Sequence, residues 1–127
     1  MTLAQGLERF LAEAQGALAT SVVSMRDGTT LVSVGSPAVE VNAIDAYLVE
    51  ALRRQRRAAQ RTGLSGEVQE IAFDCSAGVL LGRLLGDGEY LWTMWAAPES
   101  NAALARAWMR ARAAEVAAAL PQPMAGA

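Results

Sequence analysis

The sequence predicts an α/β protein: a five-stranded antiparallel sheet with one long helix on one face and the two terminal helices on the other. Three observations predict it. Hydrophobic residues repeat at helical spacing near the start, in the middle and near the end of the chain. Five strand-like runs lie between them, joined by Gly-containing turns into a pair and a triplet. Two of those runs, residues 79–85 and 90–96, are apolar on both faces, which demands helices on both sides of a sheet. Strands joined by tight turns form meanders, so the middle helix must cross the sheet between the pair and the triplet.

Each element has its own signal. Thr2 and Gln5 have the spacing of a capping box, followed by Leu3, Leu7, Phe10, Leu11 and Ala14 at helical intervals. Gly16 closes this helix. Residues 17–25 favour a strand through Val22, Val23 and the Thr and Ser around them. Asp27-Gly28 is a strong hairpin signal, and residues 29–34 return as the second strand. The long helix runs from about residue 42 to residue 62, roughly 30 Å at about 1.5 Å per residue. Asn42 is placed to cap it, with Asp45 completing a box-like arrangement; Ser36-Pro37 is an alternative, earlier start. Gly63 stops it, with Leu64 placed for a Schellman contact.

In residues 68–74, Ile71 and Phe73 alternate with Glu70, Ala72 and Asp74, the pattern of a strand at a sheet edge. Turns at residues 76–78 and 86–88 bound the two strands that are apolar on both faces. Pro98 and Ser100 introduce a last helix that Pro121 stops. Its buried stripe is Leu104, Ala105, Trp108, Met109, Val116 and Leu120. Arg112 falls within that stripe and must snorkel or meet a carboxylate. The chain reads as one domain, residues 1–120, with a disordered tail at 121–127.

Composition narrows the function classes. Of the 127 residues 53% are hydrophobic, enough for a core without disulfides. A lone Cys75 suits a reducing compartment, and with no signal sequence and no membrane-spanning run a cytoplasmic protein is expected. There is no His and no Lys, so the commonest acid–base group and the phosphate-loop lysine are both missing. Cys75 then has no His to activate it and reads as a buried or half-buried strand-end thiol. Glu70 and Asp74 point the same way on a strand but about 13 Å apart, so a solvated edge is expected rather than a metal site. Tyr90, Trp92 and Trp95 read as core, and Gly86-Asp87-Gly88 as a turn. No catalytic residue, cofactor or metal ligand is expected, and no binding of nucleotide by the chain alone.

The long helix carries the remaining signal. Val41, Ile44, Leu48, Leu52 and Ala59 fall on one side; Arg53, Arg54, Arg57 and Arg61 fall on the other. Glu50 precedes Arg53 and Arg54 by three and four positions, the favourable order for helical ion pairs. The arginines read as a solvated face, a protein-binding surface, or a nucleic-acid patch. The net charge of −2 and the lack of interleaved exposed aromatics weigh against nucleic acid.

Several local motifs, in order, resemble the Roadblock/dynein light-chain family. They are Gly16-Ala17-Leu18, Met25-Arg26-Asp27-Gly28 with Thr30-Leu31-Val32, Gly63-Leu64-Ser65-Gly66-Glu67, Leu85-Gly86-Asp87-Gly88, and Pro98-Glu99-Ser100-Asn101 with Leu104. The resemblance spans about residues 3 to 120; longin and profilin-like domains share related layouts. It implies a non-catalytic dimeric scaffold or regulator. Such modules pair through the long helix and the edge strand after it, and bacterial members accompany Ras-like GTPases, some stimulating GTP hydrolysis. On that footing Arg53, Arg54, Arg57 and Arg61 would meet the GTPase, and Tyr47, Ala51, Ala58, Ile71 and Phe73 would form the dimer interface. The alternatives are a small-molecule-sensing longin- or profilin-like domain and a nucleic-acid-binding module using the arginine-rich helix.

Overall fold

The structure, a computed structural model, describes residues 1–36, 40–63 and 68–121. The elements are α1 (Leu3–Glu13), β1 (Ala17–Ser24), β2 (Thr30–Gly35), α2 (Val41–Thr62), β3 (Glu70–Cys75), β4 (Gly78–Leu85), β5 (Tyr90–Ala96) and α3 (Ala102–Ala118). The strands form one antiparallel sheet in the order β2-β1-β5-β4-β3. The two meanders therefore join through β1 and β5 at the centre, leaving β2 and β3 as edges. This is the expected five-stranded sheet, with β3 at an edge as its alternation implied.

Strand alternation divides the core in two. On one face Val22, Leu81, Leu85, Trp92 and Met94 meet Leu3, Leu7 and Phe10 of α1 and Ala105, Met109 and Val116 of α3. On the other, Val23, Met25 and Leu91 meet Leu48, Val49 and Leu52 of α2. Phe10 meets the ring of Trp92 edge to face, centroids 4.7 Å apart. Trp92 is wholly buried, and its Nε1 donates to Thr20 Oγ1 at 2.8 Å, so its polar end is satisfied. Tyr90 and Trp95 are half-buried.

The helix ends obey their local chemistry with two corrections. Thr2 and Gln5 form the capping box on α1. In α3 the cap is Asn101, whose Oδ1 accepts from the Leu104 N–H at 3.0 Å; the Ser100 hydroxyl donates to the Gly16 carbonyl at 3.3 Å. In α2 the helix already begins at Val41, with no side-chain cap bond, so Asn42 lies inside the first turn. Gly63 takes the left-handed stop, φ 74°, its N–H bonded to the Ala59 carbonyl. The expected Pro37 start, the Leu64 contact, residues 64–67 of one motif and the tail at 122–127 lie outside the described residues.

Three residues depart from the buried stripe expected of α3. Leu104 is exposed, and Trp108 and Leu120 are only half-buried, because Ala105, Met109 and Val116 set the buried line. Arg112 meets a carboxylate: its Nη2 lies 2.8 Å from Glu13 Oε2, tying α3 to α1.

Candidate functional site

Only one side of α2 packs on the sheet. Its buried residues are Asp45, Leu48, Val49 and Leu52, spaced as i, i+3, i+4 and i+7. That line is rotated toward Val49 relative to the one expected from Ile44 and Leu52, and Val41, Ile44 and Ala59 are half-buried at its margins. The rotation decides the fate of each arginine. Arg53 follows Val49 by one turn, so it lies at the margin and is half-buried. Its Nη2 donates to the carbonyls of Met25 at 2.5 Å and Arg26 at 2.6 Å, clasping the β1–β2 turn. Arg53 therefore does not face away from the sheet, contrary to expectation. Arg54, Arg57 and Arg61 do face solvent. Glu50 pairs with Arg54 at 3.2 Å and lies 3.8 Å from Arg57; it does not pair with Arg53, whose guanidinium is engaged elsewhere. Three arginines are thus displayed, and among the described residues Glu50 is the one carboxylate recorded pairing with them.

The expected dimer residues fall in two places. Tyr47 is 79% exposed, the most exposed large apolar side chain among the described residues. Tyr47, Ala51, Arg54, Ala58 and Arg61 succeed one another at three- and four-residue steps, so one stripe of α2 holds both predicted dimer residues and predicted partner residues. Ala58 is exposed and Ala51 half-buried. On β3, Ile71 packs against the α2 core while Phe73 is 40% exposed.

The edge of β3 is open among the described residues. The Leu84 N–H donates to the Gln69 carbonyl at 3.0 Å, and antiparallel pairing alternates, so odd-numbered residues of β3 bond to β4. The main-chain groups of Glu70, Ala72 and Asp74 point outward. Cys75, at the end of this strand, is exposed, not buried or half-buried as its residue type suggested.

Glu70 is not part of a solvated edge. Its side chain is only 18% exposed and is surrounded by three guanidiniums. Arg83 Nη1 lies 2.5 Å from Oε1; Arg106 Nη2 donates to Oε2 at 3.0 Å; Arg110 grips both oxygens, at 2.9 and 3.0 Å. The Arg110 hydrogen bonds, aided by Arg106 and against the cost of burial, hold the Glu70 carboxyl down at about 2. The sequence offered only the cross-strand spacing of residues 70 and 83 as a clue; Arg106 and Arg110 arrive from α3.

A second polar group was also missed. Asp45 does not cap α2 but is wholly buried beneath it. Ser21 Oγ lies 2.8 Å from each carboxylate oxygen, Thr30 Oγ1 donates to Oδ2 at 2.7 Å, and Thr93 Oγ1 donates to Oδ1 at 3.1 Å. Ser21 and Thr93 also bond to each other. Burial raises the Asp45 carboxyl above its ordinary value, and the Thr30, Ser21 and Thr93 hydroxyls oppose that rise. One carboxylate thereby fastens α2 to β1, β2 and β5. An acidic residue one turn into a helix, with hydroxyls at alternating strand positions, is the only trace of this in the sequence.

The concave surfaces are shallow. One groove runs between α2 and the β4–β5 turn, lined by Arg56, Gln60, Gln69, Arg83 and Gly88 among others. Among the described residues no three His, Cys, Asp or Glu side chains converge as metal ligands. No described helix is long and apolar enough to cross a membrane.

No family model matches the sequence, and no curated protein matches it. Solved structures do match. A Roadblock/LC7 domain from Streptomyces avermitilis superposes with a TM-score of 0.79 at 18% identity, over 91% of this chain and 95% of that one. MglB of Myxococcus xanthus gives 0.80 at 13% identity, over 91% and 92%. MglC of Myxococcus xanthus gives 0.65 at 26% identity, over 94% and 100%. The chain has the Roadblock-domain fold.

Proposed function

We propose that this Roadblock-fold chain is a non-catalytic homodimeric module that binds a Ras-like small GTPase and modulates its GTP hydrolysis. The observation that carries the reading is the outward face of α2, where Arg54, Arg57 and Arg61 stand exposed and Glu50 meets Arg54 and lies near Arg57. The likeness to MglB and MglC supports a regulatory role for the fold. Guanidiniums suit bidentate carboxylate binding, and clustered positive charge on a chain of net charge −2 steers an acidic partner. Arg53 contributes by holding the helix against the β1–β2 turn, not by reaching the partner. The open edge of β3, with Phe73 beside it, and Tyr47 and Ala51 on the first half of α2 form the surface between two copies, leaving Arg54, Arg57 and Arg61 to the partner. The module supplies no catalytic group and binds no nucleotide by itself.

Association kinetics with a Ras-like GTPase of the source cell test the reading. Replacing Arg54, Arg57 and Arg61 with Glu is expected to slow association about tenfold at low salt, and added salt to slow the wild type in the same way. Unchanged rates and affinity would place the partner elsewhere. The dimer is tested separately by sedimentation, where a monomer at tens of micromolar would reject it.

A further inference from the structure

We propose that the two β3 strands of the dimer pair about Ala72, and that Asp74 of a second copy docks on the arginine cluster surrounding Glu70. The inference rests on the dimer proposed above and adds its register and the contact that sets it.

A twofold axis perpendicular to the sheet keeps both α2 helices on the same side, so facing residues must share a face of the joined sheet. The axis then passes through a residue, not between two. Within Glu70–Cys75 only Ala72 and Phe73 give the longest overlap. Both choices satisfy the outward main-chain groups of Ala72 and Asp74. About Ala72, Glu70 faces Asp74 and Ile71 faces Phe73. About Phe73, Ala72 faces Asp74 and Ile71 faces Cys75.

Charge separates the two. Glu70 brings one negative charge to Arg83, Arg106 and Arg110, leaving an excess of two positive charges. Arg106 and Arg110 are about half exposed, at 46% and 56%, and Arg106 bonds Glu70 through Nη2 alone, so donors remain for a second anion. Asp74 lies on the same face of β3 as Glu70, is exposed, and has no ion pair among the described residues. About Ala72, the second copy's Asp74 backbone lies about 5.5 Å from that of Glu70. Facing carboxylates ordinarily repel, but here three guanidiniums outnumber them. About Phe73, the same Asp74 moves to a diagonal position roughly 7–8 Å away. The Ala72 register also sets Phe73 against Ile71 of the second copy as a close, non-hydrogen-bonded pair on the α2 face, and symmetry makes both contacts twice.

Disulfide trapping reads the register directly. In a Cys75→Ser background, Ala72→Cys is expected to oxidise to a covalent dimer, since facing backbones about 5.5 Å apart suit a disulfide, and Phe73→Cys is not. Asp74→Asn is expected to raise the dimer dissociation constant roughly tenfold through loss of two symmetric links. Cross-linking of Phe73→Cys instead, or of neither variant while the wild type sediments as a dimer, overturns the register and leaves the dimer standing. An unchanged dissociation constant for Asp74→Asn overturns the docking of Asp74. A wild-type chain that sediments as a monomer overturns both the dimer and this inference.

Discussion

Replacing Asp45 tests how α2 is held. In Asp45→Ala the Ser21 and Thr93 hydroxyls can still bond each other, and Thr30 is half-buried and can turn to water. About one fully buried donor is left without a partner, costing roughly 1–3 kcal/mol, and the space left by the carboxylate adds about 1 kcal/mol. The relief of a buried charge works in the opposite direction. The expected net loss is about 2–3 kcal/mol, a drop of roughly 6–15 °C in Tm. Asp45→Asn keeps the volume and one acceptor, so it should cost less than half as much. Its signature lies in the pH dependence. Because the folded carboxyl titrates above 3.8, the folded wild type binds its proton more readily than the unfolded chain. Native stability therefore gains as pH falls through the raised value, and the gain is complete by 3.8. Asp45→Asn removes that gain. Urea unfolding followed by fluorescence of the buried Trp92, at fixed protein concentration because a dimer couples to stability, measures both. A change below about 0.5 kcal/mol for Asp45→Ala, or an undiminished pH dependence in Asp45→Asn, would refute this reasoning.

Glu70 should act in the other direction: its stabilisation is present above 4.5 and drains away as pH falls toward about 2, so Glu70→Gln should be less stable at neutral pH and should lack this acid loss. Urea midpoints across the acid limb report it. Gly35 has φ +134°, and an added Cβ would lie 2.5 Å from Ala19 Cα and against the Leu18 carbonyl, so Gly35→Ala should cost about 3 kcal/mol or more by strain and overpacking; calorimetry of the variant checks it. Arg53→Ala should cost about 1–2 kcal/mol through loss of its two carbonyl bonds, whereas Arg54→Ala should stay within about 0.5 kcal/mol. Equal effects at the two positions would contradict the division between a clasping and a displayed arginine.

The element order was legible because it depends on neighbours in sequence: periods of hydrophobicity, Asp27-Gly28, the Thr2 cap and the left-handed Gly63 all act within a few residues. The edge position of β3 was legible too, since Glu70, Ala72 and Asp74 break its apolar pattern. The charged residues were not. Asp45 looked like a cap because its spacing from Asn42 fits one, while its hydroxyl partners come from residues 21, 30 and 93. Glu70 looked solvated because two of its three guanidiniums sit on a helix more than thirty residues away. Arg53 reads from the sequence as displayed because the helical wheel fixes angle only, and the carbonyls it grips belong to a turn whose position depends on the whole sheet.

The unequal anchoring of α2 has a mechanical consequence. All four of its fully buried residues lie in the segment from Val41 to Leu52, and the ten that follow, roughly 15 Å of helix, contain none. The helix is a bracket bolted at one end by Asp45 and Leu48, steadied at mid-length by Arg53, and projecting beyond its last bolt. Arg54, Arg57 and Arg61 ride on the projecting arm. Amide hydrogens along α2 should therefore exchange in a gradient, slow near Leu48 and fast near Arg61, by local opening and not by unfolding of the domain. A partner that binds the arm damps its bending, so protection of those last amides is a direct readout of binding, separate from any effect on the sheet.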